Sequence, residues 1–176
     1  MAPRSAWWQS ASEQGSRIAC WLEALRVMAA GNVKRDAYFL ALSGHELGLL
    51  GIDAYIERRP DLVKRAHVWV FYGSDIGAPR QPNLVHASSG ALEGWLLRAM
   101  KQESLNVDAK VRHDAPARGE AGLIQRAGGW FVTVACGSEA FHNVADRWPE
   151  AIDVGLLARY ARALANGALE FAQQAG

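Results

Sequence analysis

His45 and Glu46 stand side by side in the run Ser43-Gly44-His45-Glu46-Leu47-Gly48, directly after a short apolar stretch that reads as a buried strand. In a parallel sheet the connections leaving the carboxyl ends of strands are free to carry polar groups, so a His-Glu pair there is placed for metal binding or proton transfer. It is not the two-histidine zinc helix, because Leu49 stands where the second histidine would fall. The alternative is a helix start, with Glu46 complementing the positive end of the dipole. A second spot is Phe141-His142-Asn143-Val144-Ala145-Asp146, which follows another apolar run. His142 reads either as a ligand, with Asp146 orienting it or capping the loop, or as a hydrogen-bonding loop group.

Helical and strand patterns alternate along the chain, which predicts an α/β fold with a largely parallel sheet. Ile18, Trp21, Leu22, Leu25 and Met28 recur at helical spacing and predict one buried face, with Ser10 and Glu13 as its capping box and Gly31-Asn32 as its stop. Tyr38–Ser43, Val68–Tyr72 and Phe131–Cys136 are continuous apolar runs and predict the central strands. A second helix passes through Ile56 and ends at Arg59-Pro60. Ser88-Ser89 opens a third, with Leu92, Trp95, Leu96 and Met100 on one face, and a last helix spans about 153–172. Leu105 to Val111 alternates as an edge strand does, and 112–119 reads as a surface loop.

Composition narrows the function classes. The chain has 176 residues, the size of one domain over 1–176, with 50% hydrophobic and 21% charged residues, a globular balance. Its 19 basic and 18 acidic residues leave a net charge of +1, which gives no electrostatic ground for a nucleic-acid or membrane partner. Cys20 and Cys136 are too few for a disulfide framework and read as buried small apolar residues. No stretch approaches the ~20 apolar residues of a membrane span, and no signal-peptide core follows Met1; a cytoplasmic location is expected if Met1 is the true start.

Three segments together resemble a known family. Leu42–Gly51 (LSGHELGLLG) is similar to the S-x-E-E-x-G-L-x-G segment of the zinc aminopeptidases that include glutamate carboxypeptidase II. Phe141–Asp153 (FHNVADRWPEAID) is similar to their (Y/F)-H-T-x-A-D segment, and Gly15–Glu23 (GSRIACWLE) to their A-S-G-x-A-x-L-L-E helix start. Order and spacing agree over essentially the whole chain. The resemblance implies a three-layer α/β/α sandwich, zinc as cofactor, and peptides or small amides as substrates.

It also implies roles residue by residue. Two zinc ions in that family share an Asp three residues before the helix-start Ser, a place taken here by Glu13. One zinc's further ligands fall on Glu46 and His142, and the general-base Glu is replaced by His45. The second zinc's histidine segment falls on Pro3-Arg4-Ser5-Ala6-Trp7, where only Trp7 matches, and its Asp on Ser74 or the neighbouring Asp75. The expectation is therefore at most one zinc, held by Glu46, His142 and Glu13, with Asp75 a further candidate ligand and His45 as base, and little or no peptidase activity. An active single-zinc hydrolase, an acyltransferase like glutaminyl cyclase, and a non-catalytic interaction domain are the alternatives. The chain begins after the family's first strands, so Trp7, Trp8 and a sheet edge are expected to be exposed and to favour self-association or a covering partner.

Overall fold

A pleated strand turns successive side chains to opposite faces, so an apolar run can serve two cores at once. The computed structural model describes residues 9–79 and 81–174, and the backbone of residues 2 and 3. Its strands are β1 (Ala2–Pro3), β2 (Ala41–Leu42), β3 (Trp69–Tyr72), β4 (Asn83–Ala87), β5 (Ala109–Lys110) and β6 (Phe131–Cys136). Its helices are α1 (Ser16–Ala30), α2 (Leu50–Arg58), α3 (Pro60–Arg65), α4 (Gly90–Gln102), α5 (Gly119–Arg126) and α6 (Val154–Gln173).

β3, β6, β4 and β5 form the central sheet in that order. β3 runs parallel to β6, with Trp69 opposite Phe131, and β5 runs parallel to β4. β4 is antiparallel to β6, with Asn83 opposite Cys136. The sheet is thus mostly parallel with one antiparallel junction.

Alternation along the strands divides the interior. Tyr72, Val85, Val132 and Val134 join Cys20 and Ala24 of α1, Trp95, Leu96 and Met100 of α4, and Tyr160, Ala163 and Leu164 of α6 in one core. Trp69, Phe71 and Phe131 face the other way, against Ile52 of α2, Val63 of α3, and Ala121 and Ile124 of α5. Helices on both faces of a sheet make the three-layer α/β/α arrangement. Cys20 and Cys136 are buried and carry no disulfide.

Two expectations about these elements need correction, and a third is extended. Tyr38–Ser43 is not a central strand: only Ala41–Leu42 is extended, paired in parallel with Ala2–Pro3 apart from the main sheet, and Tyr38 is 60% exposed. The buried face of α1 carries Cys20 and Ala24, while Leu22 and Leu25 lie outward, because α6 packs on the side of the small residues. Pro60 does end α2, yet it also opens α3, since proline is at home in a first helical turn. β4 and α5 are elements the sequence reading did not identify. The expectations for Trp7 and Trp8 fall outside the described residues.

Candidate metal centre

The loops that leave β2, β3 and β6 hold the candidate residues. After β2, the chain turns through Gly44 (φ 72°) and Gly48 (φ 92°), conformations open to glycine without strain. Gly44 O accepts from the amides of Leu47 and Leu50, each at 3.2 Å, so His45 and Glu46 sit on a closed turn. α2 begins only at Leu50, so Glu46 is not in a helix's first turn and does not serve the dipole role that was the alternative for it. After β6, His142 sits in a loop with φ 56°, its ring stacked on Phe141 at 4.0 Å.

Glu13 lies in a wide helical turn, Ala11–Gly15, just before α1. Such turns, closed by bonds one residue longer than in an α-helix, recur at functional sites. Here Gly15 N donates to Ser10 O at 2.9 Å. Ser10 makes no side-chain cap, which removes the capping-box reading, and Glu13 is free to turn inward, where it is 1% exposed.

Asp146 locks this turn to the His142 loop. It is fully buried, and its two carboxylate oxygens accept from the backbone amides of Ser12 (2.6 Å) and Glu13 (3.0 Å). Asp75 locks the turn from the β3 side: its Oδ1 accepts from Ser12 Oγ at 2.7 Å, and its own amide donates to Ser12 O at 3.1 Å. The sequence reading had Asp146 serving its own loop; it serves the neighbouring one instead.

The outcome is a convergence of three distant side chains. His142 Nε2 lies 3.2 Å from Glu13 Oε1 and 3.9 Å from Glu46 Oε1. Ligand atoms of Glu13, Glu46 and His142 all fall within 4.8 Å of one another, and Asp75 is not in this group. Donors bound tetrahedrally at about 2.0–2.2 Å from a zinc ion stand roughly 3.4 Å apart, so the two measured separations bracket what such an ion needs. Glu13 Oε2 is buried with no hydrogen-bond partner, an arrangement that costs free energy unless a cation compensates it. Two carboxylates and one imidazole therefore fit a divalent metal such as zinc in both donor chemistry and spacing.

His45 faces a different partner. Its Nδ1 lies 2.6 Å from Glu120 Oε1, a contact between the β2 loop and the first turn of α5. The Glu120 hydrogen bond holds the imidazole above its ordinary value, against burial and the positive charge of Arg17. Burial pushes the Glu120 carboxyl up, but the His45 bond and charge outweigh it and leave it lowered. Burial raises the Asp75 carboxyl, opposed by its hydrogen bonds to Ser12 and Ser74. Glu120 and Arg17 are the residues that sequence reasoning missed. A depression lined by Lys64, Arg65, His67 and Trp130 lies at the amino-terminal ends of β3 and β6, opposite these loops.

A sequence profile of peptidase family M28 matches residues 5–168. No match is found among curated protein sequences. Among solved structures, an aminopeptidase from Aneurinibacillus sp. strain AM-1 superposes with a TM-score of 0.79 at 17% identity, over 96% of this chain and 41% of that one. BSAP, a zinc aminopeptidase from Bacillus subtilis, gives 0.84 at 17% identity, over 99% of this chain and 46% of that one. The Legionella LapA structure gives 0.76 at 15% identity, over 94% of this chain and 49% of that one. The chain thus spans less than half the length of these structures. No helix among the described residues is long and apolar enough to cross a membrane.

Proposed function

The chain belongs to peptidase family M28, and from that footing we propose that it is a zinc-binding metallopeptidase-like domain built around one ion, with peptidase turnover lost or residual. The observation that carries this reading is the convergence of Glu13, Glu46 and His142 within 4.8 Å. Glu46 and His142 come from the loops after β2 and β6, and Glu13 from the turn that Asp146 and Asp75 fasten between them. Zinc at such a position supplies Lewis acidity towards a peptide carbonyl and makes nearby water more acidic. Its fourth coordination position would be left to solvent or to a peptide or small amide. Asp75 bears on this reading: its Oδ1 accepts from Ser12 Oγ, and it is not among the three residues that converge. A site with one ion lacks the second charge that steadies a leaving group.

One observation favours a second reading, an active single-zinc hydrolase. The His45–Glu120 pair has the form of an oriented proton carrier: with Nδ1 held by Glu120, Nε2 is the ring atom left to take up or release a proton. Turnover of aminoacyl and N-blocked peptide substrates by zinc-supplemented protein separates the two. The proposal expects rates equal to those of His142→Ala. Rates well above that variant, abolished by His45→Ala and by chelator, would replace it with the second reading.

A further inference from the structure

The depression at the amino-terminal ends of β3 and β6, on the rim away from the metal-capable residues, has a volume of about 340 Å³. That is within the size range of small-molecule sites. Its walls are fastened to one another. Trp69 N donates to Trp130 O at 2.8 Å, which ties the approach to β3 to the approach to β6. Ser88, just before α4, is tied to the same place: its amide donates to Phe131 O at 2.9 Å, and its hydroxyl accepts from Phe131 N at 2.8 Å. A tight turn aims Trp130. Gly128 has φ 82°, open to glycine without strain, and a Cβ on Gly129 would meet Ile124 Cγ2 at 2.6 Å, so the backbone passes close against α5. Phe131 then turns inward at 0% exposure, and the Trp130 indole is left 50% exposed at the depression.

The charge on this rim is one-sided. Lys64 and Arg65 end α3 and His67 follows two residues on; all three are exposed and line the depression, and no acidic side chain does. No ion pair of the described residues involves any of the three. Complementing the carboxyl end of a helix accounts for Lys64 and Arg65 but not for His67 or the exposed indole. The whole chain carries a net charge of only +1, so the cluster is a local concentration.

We propose that this depression binds a phosphate monoester carried on a flat-ringed small molecule, of the class of a nucleoside monophosphate, with Lys64, Arg65 and His67 meeting the phosphate and Trp130 the ring. A phosphate monoester carries about −1.5 to −2 charge at neutral pH and three strong acceptor oxygens, which suits several donors converging in one cavity better than a single carboxylate does. Arginine meets it through a planar fork and lysine as a point charge. An indole face takes a nucleobase by stacking, whatever the base. The site does not rest on the zinc reading, since it shares no residue with Glu13, Glu46 and His142.

NMR titration of chelator-treated protein with adenosine monophosphate, adenosine and inorganic phosphate tests it, free of any metal that would itself hold phosphate. Adenosine monophosphate should shift the Trp130 indole and His67 ring signals and bind at least about tenfold more tightly than either adenosine or phosphate alone. Lys64→Gln combined with Arg65→Gln should weaken the nucleotide at least about tenfold while leaving adenosine unchanged. Trp130→Ala should weaken the nucleotide and adenosine about fivefold or more and leave phosphate unchanged. If the double variant does not fold, Lys64→Gln and Arg65→Gln are read singly, each with a smaller loss expected. Shifts that avoid Trp130 and His67, affinity unchanged in the charge variants, or phosphate bound as tightly as the nucleotide would each overturn the proposal.

Discussion

A carboxylate proposed to hold a metal must be positioned by something other than the metal, and for Glu13 that role falls to Asp146. Its two oxygens fix the amides of Ser12 and Glu13, so the turn keeps its shape before any ion arrives. Asp146→Ala should weaken zinc binding about 10- to 100-fold, the scale of lost supporting contacts around a metal. It should also cost roughly 1–3 kcal/mol of stability, because two buried amides lose their acceptor; zinc titration and chemical denaturation read the two effects. His45 gives a second test. Glu120 favours its charged form, so in metal-free protein the imidazole should titrate above the usual ~6.5, and that part of the stability is lost as pH rises through the folded value. Glu120→Gln keeps an acceptor but removes the carboxylate charge that favours the imidazolium, so the His45 midpoint seen by NMR should fall; an unchanged midpoint would refute the pairing. His45, Glu46 and His142 were legible in the sequence because each follows an apolar run that reads as a strand. That Glu13 meets Glu46 and His142 was legible only through resemblance. Glu120 was not, since it lies 75 residues from His45 at the start of a helix with no strong apolar period. Arg17 was hidden on a helix face that looked polar.

Elements with a single clear pattern were the readable ones. Val68–Tyr72 and Phe131–Cys136 are apolar on both faces because the sheet is covered on both, and that leaves little else for them to be. The run Tyr38–Ser43 has the same composition yet remains mostly irregular, with Tyr38 largely exposed, since hydrophobicity alone does not supply a pairing partner. β4 escaped notice because its polar residues, Asn83 and His86, are buried by tertiary contacts: Asn83 Nδ2 donates to Tyr160 Oη at 2.7 Å, and His86 packs edge-on against Phe131 at 5.0 Å. α1 was read correctly as a helix and incorrectly as to its face, because α6 comes close enough to select Cys20 and Ala24 over the leucines. His86 yields a prediction at this level. Burial lowers its pKa, and its Nε2 is buried without a partner, so the folded protein resists protonating it while the unfolded chain does not. The unfolded state therefore binds the extra proton below about 6.5, and stability falls as pH drops from there towards the lowered folded value. His86→Phe should flatten that part of the stability profile between about pH 7 and 5; a wild-type slope retained in the variant would contradict it.

At the scale of the molecule, the sheet and its two cores bring residues 13, 46 and 142 to one rim. The three segments have no reason to meet in an unfolded chain, so the proposed metal binding would be linked to folding: an ion that binds only the folded state adds about 2.7 kcal/mol at a hundred times its dissociation constant. The alternation of helices and strands, and the family resemblance, made this architecture legible from sequence. The position of the antiparallel β4 and the bracing of Glu13 by Asp146 were not, since both depend on pairings between distant segments that no local pattern encodes. The central claim is that Glu13, Glu46 and His142 form a site for one zinc ion. Elemental analysis of purified protein, loaded with zinc and then dialysed against metal-free buffer, tests it most directly. The account predicts one zinc per chain in wild type and none in His142→Ala. A wild type without zinc, or a His142→Ala protein that retains it, would contradict the account.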